Sequence, residues 1–171
     1  MASPSGPTVA ASLASMLKRA AGKAPTRSSS SGIRSSLSEP AEVGSLDLSG
    51  KRWLRHTAFT QAVMSELAMG RTEEVYFKGA GGHRVQMFVV HPPNESLPAS
   101  KGRKRSPLPL VHLIHGGPHG AFGNEWFWRW NAQTFAAQGY LVAMVNFHGS
   151  TGWGEEFCAS ILGRWGDQPY H

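Results

Sequence analysis

Two glycine-rich segments carry the residue types in this chain that are best suited to chemistry. The first reads HGGPHG at 115–120, and the second runs from Asn146 to Gly154. Consecutive glycines at the end of a strand leave backbone N–H groups that no side chain covers, and such groups can bind the negative oxygen of a tetrahedral intermediate. Gly117 is therefore the leading candidate for an oxyanion donor, with Gly116 and His115 as further candidates.

The apolar runs next to these loops predict that a parallel sheet positions them. Residues 110–114 and 140–145 are nearly continuously apolar, which is typical of strands buried on both faces. Between them, residues 124–139 predict a helix with Trp126 and Trp130 on one face, a spacing more typical of core residues than of a pocket. A strand–helix–strand unit is right-handed and brings both glycine loops to the same carboxyl edge of the sheet, where ligands bind.

The second loop is accordingly expected to line that edge, with His148 and Gly149 as its candidate residues. The imidazoles of His115, His119 and His148 are expected to form loop hydrogen bonds rather than to take a direct part in chemistry. For the first loop the alternative is a glycine turn that only connects a strand to a helix.

Shorter elements are expected before the parallel strands. Residues 73–78 and 84–91 are rich in β-forming residues and are joined by a glycine-rich turn, which predicts a hairpin. Residues 46–48 predict a short strand, and residues 60–70 predict a brief helix. Residues 92–107, with their prolines and basic run, predict an exposed loop.

The composition argues against nucleic-acid and membrane partners. The chain has 17 Lys and Arg against 11 Asp and Glu, a net charge of +6. Its basic clusters, within 18–34 and at 101–105, lie in Ser, Gly and Pro-rich sequence without interleaved aromatic residues. No apolar stretch approaches the roughly 20 residues that span a bilayer, and the N-terminus has no secretory apolar core. Cys158 is the single cysteine, so no internal disulfide can form, and a cytoplasmic location is favoured.

Residues 1–43 are expected to be a disordered, low-complexity segment. They contain few apolar residues that could offset the entropy cost of ordering a chain. An organelle transit peptide is the alternative, because five basic residues and no acidic residue precede Glu39. All six Trp and all eight Phe lie between residues 53 and 166, so the core is expected there.

A metal site has little support in the sequence. His112, His115 and His119 are conceivable zinc ligands, but His112 is expected on a different face from the two loop histidines. No acidic or Cys ligand has a suitable spacing from them. We therefore expect no metal and no cofactor.

The stretches around the loops resemble a known enzyme family. Residues 109–120, 146–157 and 163–170 are similar, in that order, to the opening of the peptidase domain of prolyl oligopeptidases, especially the acylaminoacyl peptidase and secreted dipeptidyl peptidase branch. Residues 73–93 resemble the first two strands of that domain, and residues 44–57 resemble the last strand of a preceding β-propeller. The resemblance implies an α/β fold, a truncated α/β-hydrolase with the first strands of a doubly wound sheet. It also implies a serine peptidase that hydrolyses peptide bonds by acyl transfer.

The catalytic triad that the resemblance implies has no counterpart in this sequence. Gly-x-Ser-x-Gly does not occur, since Ser150 has His148 two residues before it and Gly152 two residues after it. In the family the nucleophilic Ser follows the next strand, with Asp and His later, so all three are expected beyond His171. The chain alone is therefore expected to be inactive, and an uncovered sheet edge is expected to promote self-association.

These interpretations divide the chain into three parts. Residues 1–43 are the disordered segment, 44–58 the propeller remnant and 59–171 the partial peptidase domain. A noncatalytic binding module, which would engage a partner through the glycine edge or the basic N-terminal tail, is the rival function. A downstream sequence encoding Gly-x-Ser-x-Gly would decide for the peptidase, whose partner is a peptide substrate.

Overall fold

The computed structural model describes residues 29–47, 52–93 and 107–170. These residues divide into two compact units: the smaller contains 29–34 and the described residues of Ala41–Met64, and the larger contains Ser35–Pro40 and the described residues after Met64. The strands and helices of the described residues are β1 (Ser29–Ser36), β2 (Glu39–Asp47), β3 (Trp53–Arg55), α1 (Gln61–Met64), β4 (Thr72–Lys78), β5 (Arg84–Val90), β6 (Leu110–Leu113), α2 (Ala132–Ala136), β7 (Leu141–Asn146) and α3 (Glu155–Ala159).

A three-stranded sheet in the order β1-β2-β3 has most of its residues in the smaller unit. β2 and β3 are antiparallel, with Gly44 opposite Arg55. The Glu42 carboxylate is buried and accepts hydrogen bonds from the Thr57 hydroxyl and from the backbone N–H of Thr60. Burial raises the pKa of Glu42, but these hydrogen bonds to its charged form outweigh burial, and the net pKa lies below its ordinary value of 4.5.

Residues 29–43 differ from the expectation of a segment without regular structure. β1 and the first part of β2 lie there, although most residues of β1 are exposed. Composition predicts how much side-chain surface a segment can bury, whereas a sheet edge can also order a polar strand through its backbone hydrogen bonds. Residues 1–28 lie outside the described residues. The assignment of 44–58 to a propeller remnant stays a prediction.

The larger unit contains a four-stranded sheet in the order β4-β5-β7-β6. The predicted hairpin is confirmed: β4 and β5 are antiparallel, with Thr72 opposite Val90 and Lys78 opposite Arg84. β7 pairs antiparallel with β5 and parallel with β6. Among the described strands, β6 therefore lies at one edge of the sheet and carries the first glycine loop at its carboxyl end.

The helix between the parallel strands is much shorter than the sequence predicted. Only α2 is helical, because the Asn131 side chain accepts a hydrogen bond from the Gln133 N–H at 2.9 Å and so caps the helix there. Trp130 is 67% exposed, so its expected place in the core is wrong. The turn after α2 ends at Gly139, whose φ of 92° is the left-handed conformation that favours a glycine stop.

The core lies between α2 and the sheet. It contains the buried side chains Leu37, Phe88, Val90, Ala132, Ala136, Val142 and Met144. The buried Gln133 amide also binds here: Gly70 N–H donates to its Oε1 at 2.7 Å, and its Nε2 donates to Gly70 O at 3.1 Å. In the part of the chain that the structure describes, no helix is long and apolar enough to cross a membrane.

Candidate active site

The first glycine loop leaves a backbone donor uncovered. Gly116 and Gly117 are exposed, and the Gly117 N–H donates to no other described residue. Gly117 has φ of 141°, and a Cβ there would lie 2.5 Å from His119 N. Only glycine fits this position, so no side chain of the residue itself covers this exposed N–H.

The second glycine loop is buried where the first is exposed. His148, Gly149 and Ser150 are all buried, with exposed fractions of 2% for His148 and 0% for Ser150. Gly149 has φ of 99°, and a Cβ there would lie 2.8 Å from Ile161 Cγ2. This glycine is therefore required by close packing rather than by access to a ligand.

Hydrogen bonds join the two loops at the carboxyl edge of the sheet. Thr151 N–H donates to Gly120 O at 3.0 Å. His119 Nδ1 lies 3.0 Å from Gly149 O, which can only accept, so this nitrogen carries the proton. The structure thus brings together the loops that the strand–helix–strand pattern predicted to meet.

His115 connects the loops most directly. Its Nε2 lies 2.8 Å from Ser150 Oγ and its Nδ1 lies 3.0 Å from Gly116 O. The ring stacks on Phe147, with 4.4 Å between centroids and 10° between planes. Both ring nitrogens are occupied, so the imidazole has no free donor to offer a substrate, and only the backbone N–H of His115 remains for its candidate role.

A cleft of about 340 Å³ lies beside the first loop. His115, Gly117 and Pro118 line one part of it, and Trp165 and Tyr170 line another. Ile114, which follows the edge strand β6, also lines the cleft and is 70% exposed. The uncovered Gly117 N–H therefore sits beside a largely apolar depression that has room for a ligand group.

Comparisons with known proteins agree on one family. The family model described as "Prolyl oligopeptidase family" matches residues 126–171. "Probable dipeptidyl-peptidase 5" of Emericella nidulans is 51% identical over 107 residues, which is 63% of this chain and 14% of that protein. "Dipeptidyl-peptidase 5" of Schizosaccharomyces pombe is 42% identical over 98 residues, which is 57% of this chain and 13% of that protein. The match to this family model covers only the C-terminal 46 residues of the chain.

Solved structures give the same fold. The Pyrococcus horikoshii acylaminoacyl peptidase superposes with a TM-score of 0.64 at 23% identity, over 81% of this chain and 20% of that chain. A Mycobacterium tuberculosis puromycin-hydrolyzing peptidase superposes with a TM-score of 0.58 at 26% identity, over 82% of this chain and 21% of that chain. The predicted α/β-hydrolase fold and its partial coverage are confirmed. The chain spans only about an eighth to a fifth of the length of these prolyl oligopeptidase relatives and neighbours.

Ser150 Oγ and His115 Nε2 lie as close together as a nucleophile and its general base, but their surroundings are not those of a catalytic pair. Ser150 is fully buried, and His115 Nδ1 binds the Gly116 carbonyl instead of the carboxylate that orients a catalytic imidazole. Ser150 also lacks the Gly-x-Ser-x-Gly spacing of the family nucleophile. The pair is suited to holding the loop and not to attacking a substrate.

His148 has a partner that the sequence did not reveal. Its Nε2 lies 3.0 Å from Nδ1 of His83, in the turn between β4 and β5, and its ring stacks on Phe157 at 4.5 Å. Burial lowers the pKa of His148 below 6.5, and the neighbouring His83 lowers it further. One of the two nitrogens carries a hydrogen and donates it to the other, because a hydrogen bond needs one donor and one acceptor.

The side chains of Asn146 and Cys158 make further contacts that the sequence did not predict. The fully buried Asn146 amide accepts from Phe122 N–H at 2.7 Å and donates to Phe122 O at 3.0 Å and to Gln86 Oε1 at 2.5 Å. It fixes the chain that leaves the first loop to the end of β7. Cys158 Sγ lies 3.0 Å from His119 Nδ1. No local sequence signal indicates either contact, because the partners are more than 20 residues apart.

The three histidines considered for zinc lie in different surroundings. Both ring nitrogens of His115 and the Nδ1 of His119 have the partners described above, and His112 is exposed on β6. Within the described ranges, no group of three or more His, Cys, Asp or Glu side chains is placed to hold a metal ion.

Proposed function

We propose that this chain supplies the oxyanion-binding part of a serine peptidase that hydrolyses peptide bonds by acyl transfer. The observation that carries the proposal is the uncovered Gly117 N–H at the carboxyl end of β6. Attack on a peptide carbonyl moves negative charge to its oxygen, and a fixed N–H about 3 Å away stabilises that charge without reorganisation. Gly116 N–H and His115 N–H are secondary donors in this scheme.

The surroundings of Gly117 fit a peptide substrate. The cleft beside it is lined mainly by apolar and aromatic side chains and has no carboxylate that would repel a developing oxyanion. Because His148 and Gly149 are buried, they support the first loop in this scheme and do not contact the substrate. The similar proteins named dipeptidyl-peptidase 5 support release of short peptides as the specific reaction.

The nucleophile in this proposal comes from sequence after His171. A parallel strand added beside β6 would bring its carboxyl-end turn next to the first glycine loop, because parallel strands end at one edge. A Gly-x-Ser-x-Gly turn there would place a serine hydroxyl beside the Gly117 N–H and supply the second oxyanion donor. Asp and His would follow in the order that α/β-hydrolases use.

A fluorophosphonate probe tests this function. The transcript is read past codon 171, and the encoded longer protein is compared with the 171-residue chain for probe labelling and hydrolysis of dipeptidyl substrates. We expect labelling on a serine after residue 171 in the longer protein and none in the short chain. Labelling on a serine within 29–170 would contradict a nucleophile located after His171. A longer protein that binds peptides without labelling or hydrolysis would favour the binding-module hypothesis.

A further inference from the structure

Ser150 is buried, polar and outside the proposed chemistry, yet its hydroxyl has one specific partner. Ser150 Oγ lies 2.8 Å from His115 Nε2, and the serine has no exposed surface. Its position on the second loop is fixed independently, since Ser150 N–H donates to Phe147 O at 2.9 Å. The hydroxyl is therefore a fixed group that faces the His115 ring.

The contacts of His115 define its tautomer. A carbonyl oxygen only accepts hydrogen bonds, so the nitrogen 3.0 Å from Gly116 O, which is Nδ1, carries the proton. In the neutral ring Nε2 is then an acceptor, and the Ser150 hydroxyl donates to it. In the Nε2–H form the Nδ1 lone pair would face the Gly116 oxygen, and the Ser150 hydroxyl would have to accept, which leaves its own buried hydrogen without an acceptor among the described residues. Both contacts therefore favour the Nδ1–H form, and loss of the Ser150 hydroxyl removes one of them.

The orientation of Gly116 O determines the orientation of the proposed oxyanion donor. Gly116 C=O and Gly117 N–H belong to one peptide group, whose planarity makes the two bonds point in opposite directions. Holding the carbonyl inward toward His115 therefore holds the Gly117 N–H outward. Gly120 packs closely on this carbonyl, because a Cβ on Gly120 would lie 2.6 Å from Gly116 O and 3.1 Å from His115 Nδ1.

We propose that Ser150 is a positioning residue, which selects the Nδ1–H tautomer of His115 and thereby aims the Gly117 N–H at the substrate. The inference rests on the proposed function for its effect on catalysis, but the tautomer itself does not depend on activity. A buried hydroxyl on the second loop thus sets the geometry of a donor on the first loop. Neither side chain touches the reacting atoms.

The substitution Ser150→Ala tests the proposal, with Ser160→Ala as its matched control. Ser160 Oγ donates to Phe157 O at 2.7 Å after α3, so the control removes one serine hydroxyl bond that contacts neither His115 nor Gly116. In the active longer protein we expect Ser150→Ala to lower kcat about tenfold with KM within about twofold, the loss that one hydrogen bond gives. Ser160→Ala is expected to leave both constants unchanged.

A second readout is the ring ¹⁵N spectrum of His115, recorded on the folded protein whether or not it is active. We expect the Nδ1–H tautomer in the parent protein and in Ser160→Ala, and a mixture with Nε2–H in Ser150→Ala. His115→Asn retains a donor near the Nδ1 position but no acceptor for Ser150. In that background Ser150→Ala should have no further effect on kcat.

Three outcomes would overturn the inference. They are an Nε2–H tautomer in the parent protein, equal behaviour of Ser150→Ala and Ser160→Ala in the spectrum, and a full effect of Ser150→Ala in the His115→Asn background. If no variant shows peptidase activity, the proposed function fails, while the spectrum still decides the tautomer. A tautomer change with unchanged kcat would also refute the positioning role.

Discussion

The two glycine loops lie side by side at one edge of the sheet, yet their glycines meet different demands. Gly117 in the first loop is exposed, and a side chain there would strike the loop's own backbone. Gly149 in the second loop is buried, and a side chain there would strike Ile161. The first loop exposes its backbone to a ligand, and the second uses close packing to support the first.

The largest effect is expected from Gly117→Ala in the active longer protein. The new Cβ would displace the backbone around His119 and move the N–H away from the oxyanion. Loss of one such donor costs about 2.7–4 kcal/mol of transition-state stabilisation, so kcat should fall about 10²- to 10³-fold. Gly166→Ala is the control, because a Cβ at Gly166 meets no atom within 4 Å. Unchanged turnover in folded Gly117→Ala would remove this residue from the proposed role.

A stability change is expected from Gly149→Ala. The residue has φ of 99°, and the new methyl group would press on Ile161. Gly152→Ala is the matched control, because Gly152 has φ of 100° with open space around it. Backbone strain alone costs about 1–3 kcal/mol, so both variants should have a lower urea midpoint of unfolding than the parent protein. The midpoint of Gly149→Ala should be the lower of the two, because it also loses packing. Equal midpoints would contradict the packing role of Gly149.

The buried loop should also respond to pH through His148. Its pKa is lowered in the folded protein, so the unfolded chain binds a proton more readily below pH 6.5. The free energy of unfolding should therefore be constant above about that pH and decrease as pH falls from there through the lowered folded pKa. Urea titrations between pH 5 and 8 measure this slope. His148→Gln should flatten it and the exposed His112→Gln should not; the same slope in both variants would exclude His148 as its source.

The smallest effects concern the edge of the sheet next to the first loop. We propose that the 171-residue chain self-associates through β6, where Leu110 is 61% and Ile114 is 70% exposed. Leu110→Lys should shift its sedimentation toward the monomer, since charge on an edge strand opposes pairing. Val63→Lys changes an equally exposed residue on α1 and should not. A parent chain that sediments as a monomer at all concentrations would refute this association.

Turn residues and apolar runs predicted the elements whose formation depends mainly on neighbouring residues. The β4–β5 hairpin and the parallel strands β6 and β7 follow from turn glycines and from apolar runs. The prediction of a long helix was wrong because hydrophobic periodicity does not show where a helix begins. Here it begins only at Ala132, where the Asn131 side chain caps it. β1 was missed because a polar strand can be ordered by its neighbour rather than by its own composition.

In the candidate site, too, some features are predictable from the sequence and others are not. The glycines of both loops are visible in the sequence because backbone access and tight turns demand that residue type. The partners of the histidines are not visible, because His83 and His148 are 65 residues apart and meet only through the tertiary fold. The outward direction of the Gly117 N–H also depends on a contact between His115 and a serine 35 residues away.

The amide of Gln133 has a consequence for the dynamics of the larger unit. It pairs with both the N–H and the C=O of Gly70, as a peptide group of an adjacent strand would, and it also donates to Leu37 O at 3.3 Å. Two distant segments, around Leu37 and around Gly70, are thus held by one side chain on the helix that packs against the sheet. The amide hydrogen of Gly70 can exchange with deuterium only when Gln133 moves away, so its exchange rate measures how often α2 detaches from its surroundings.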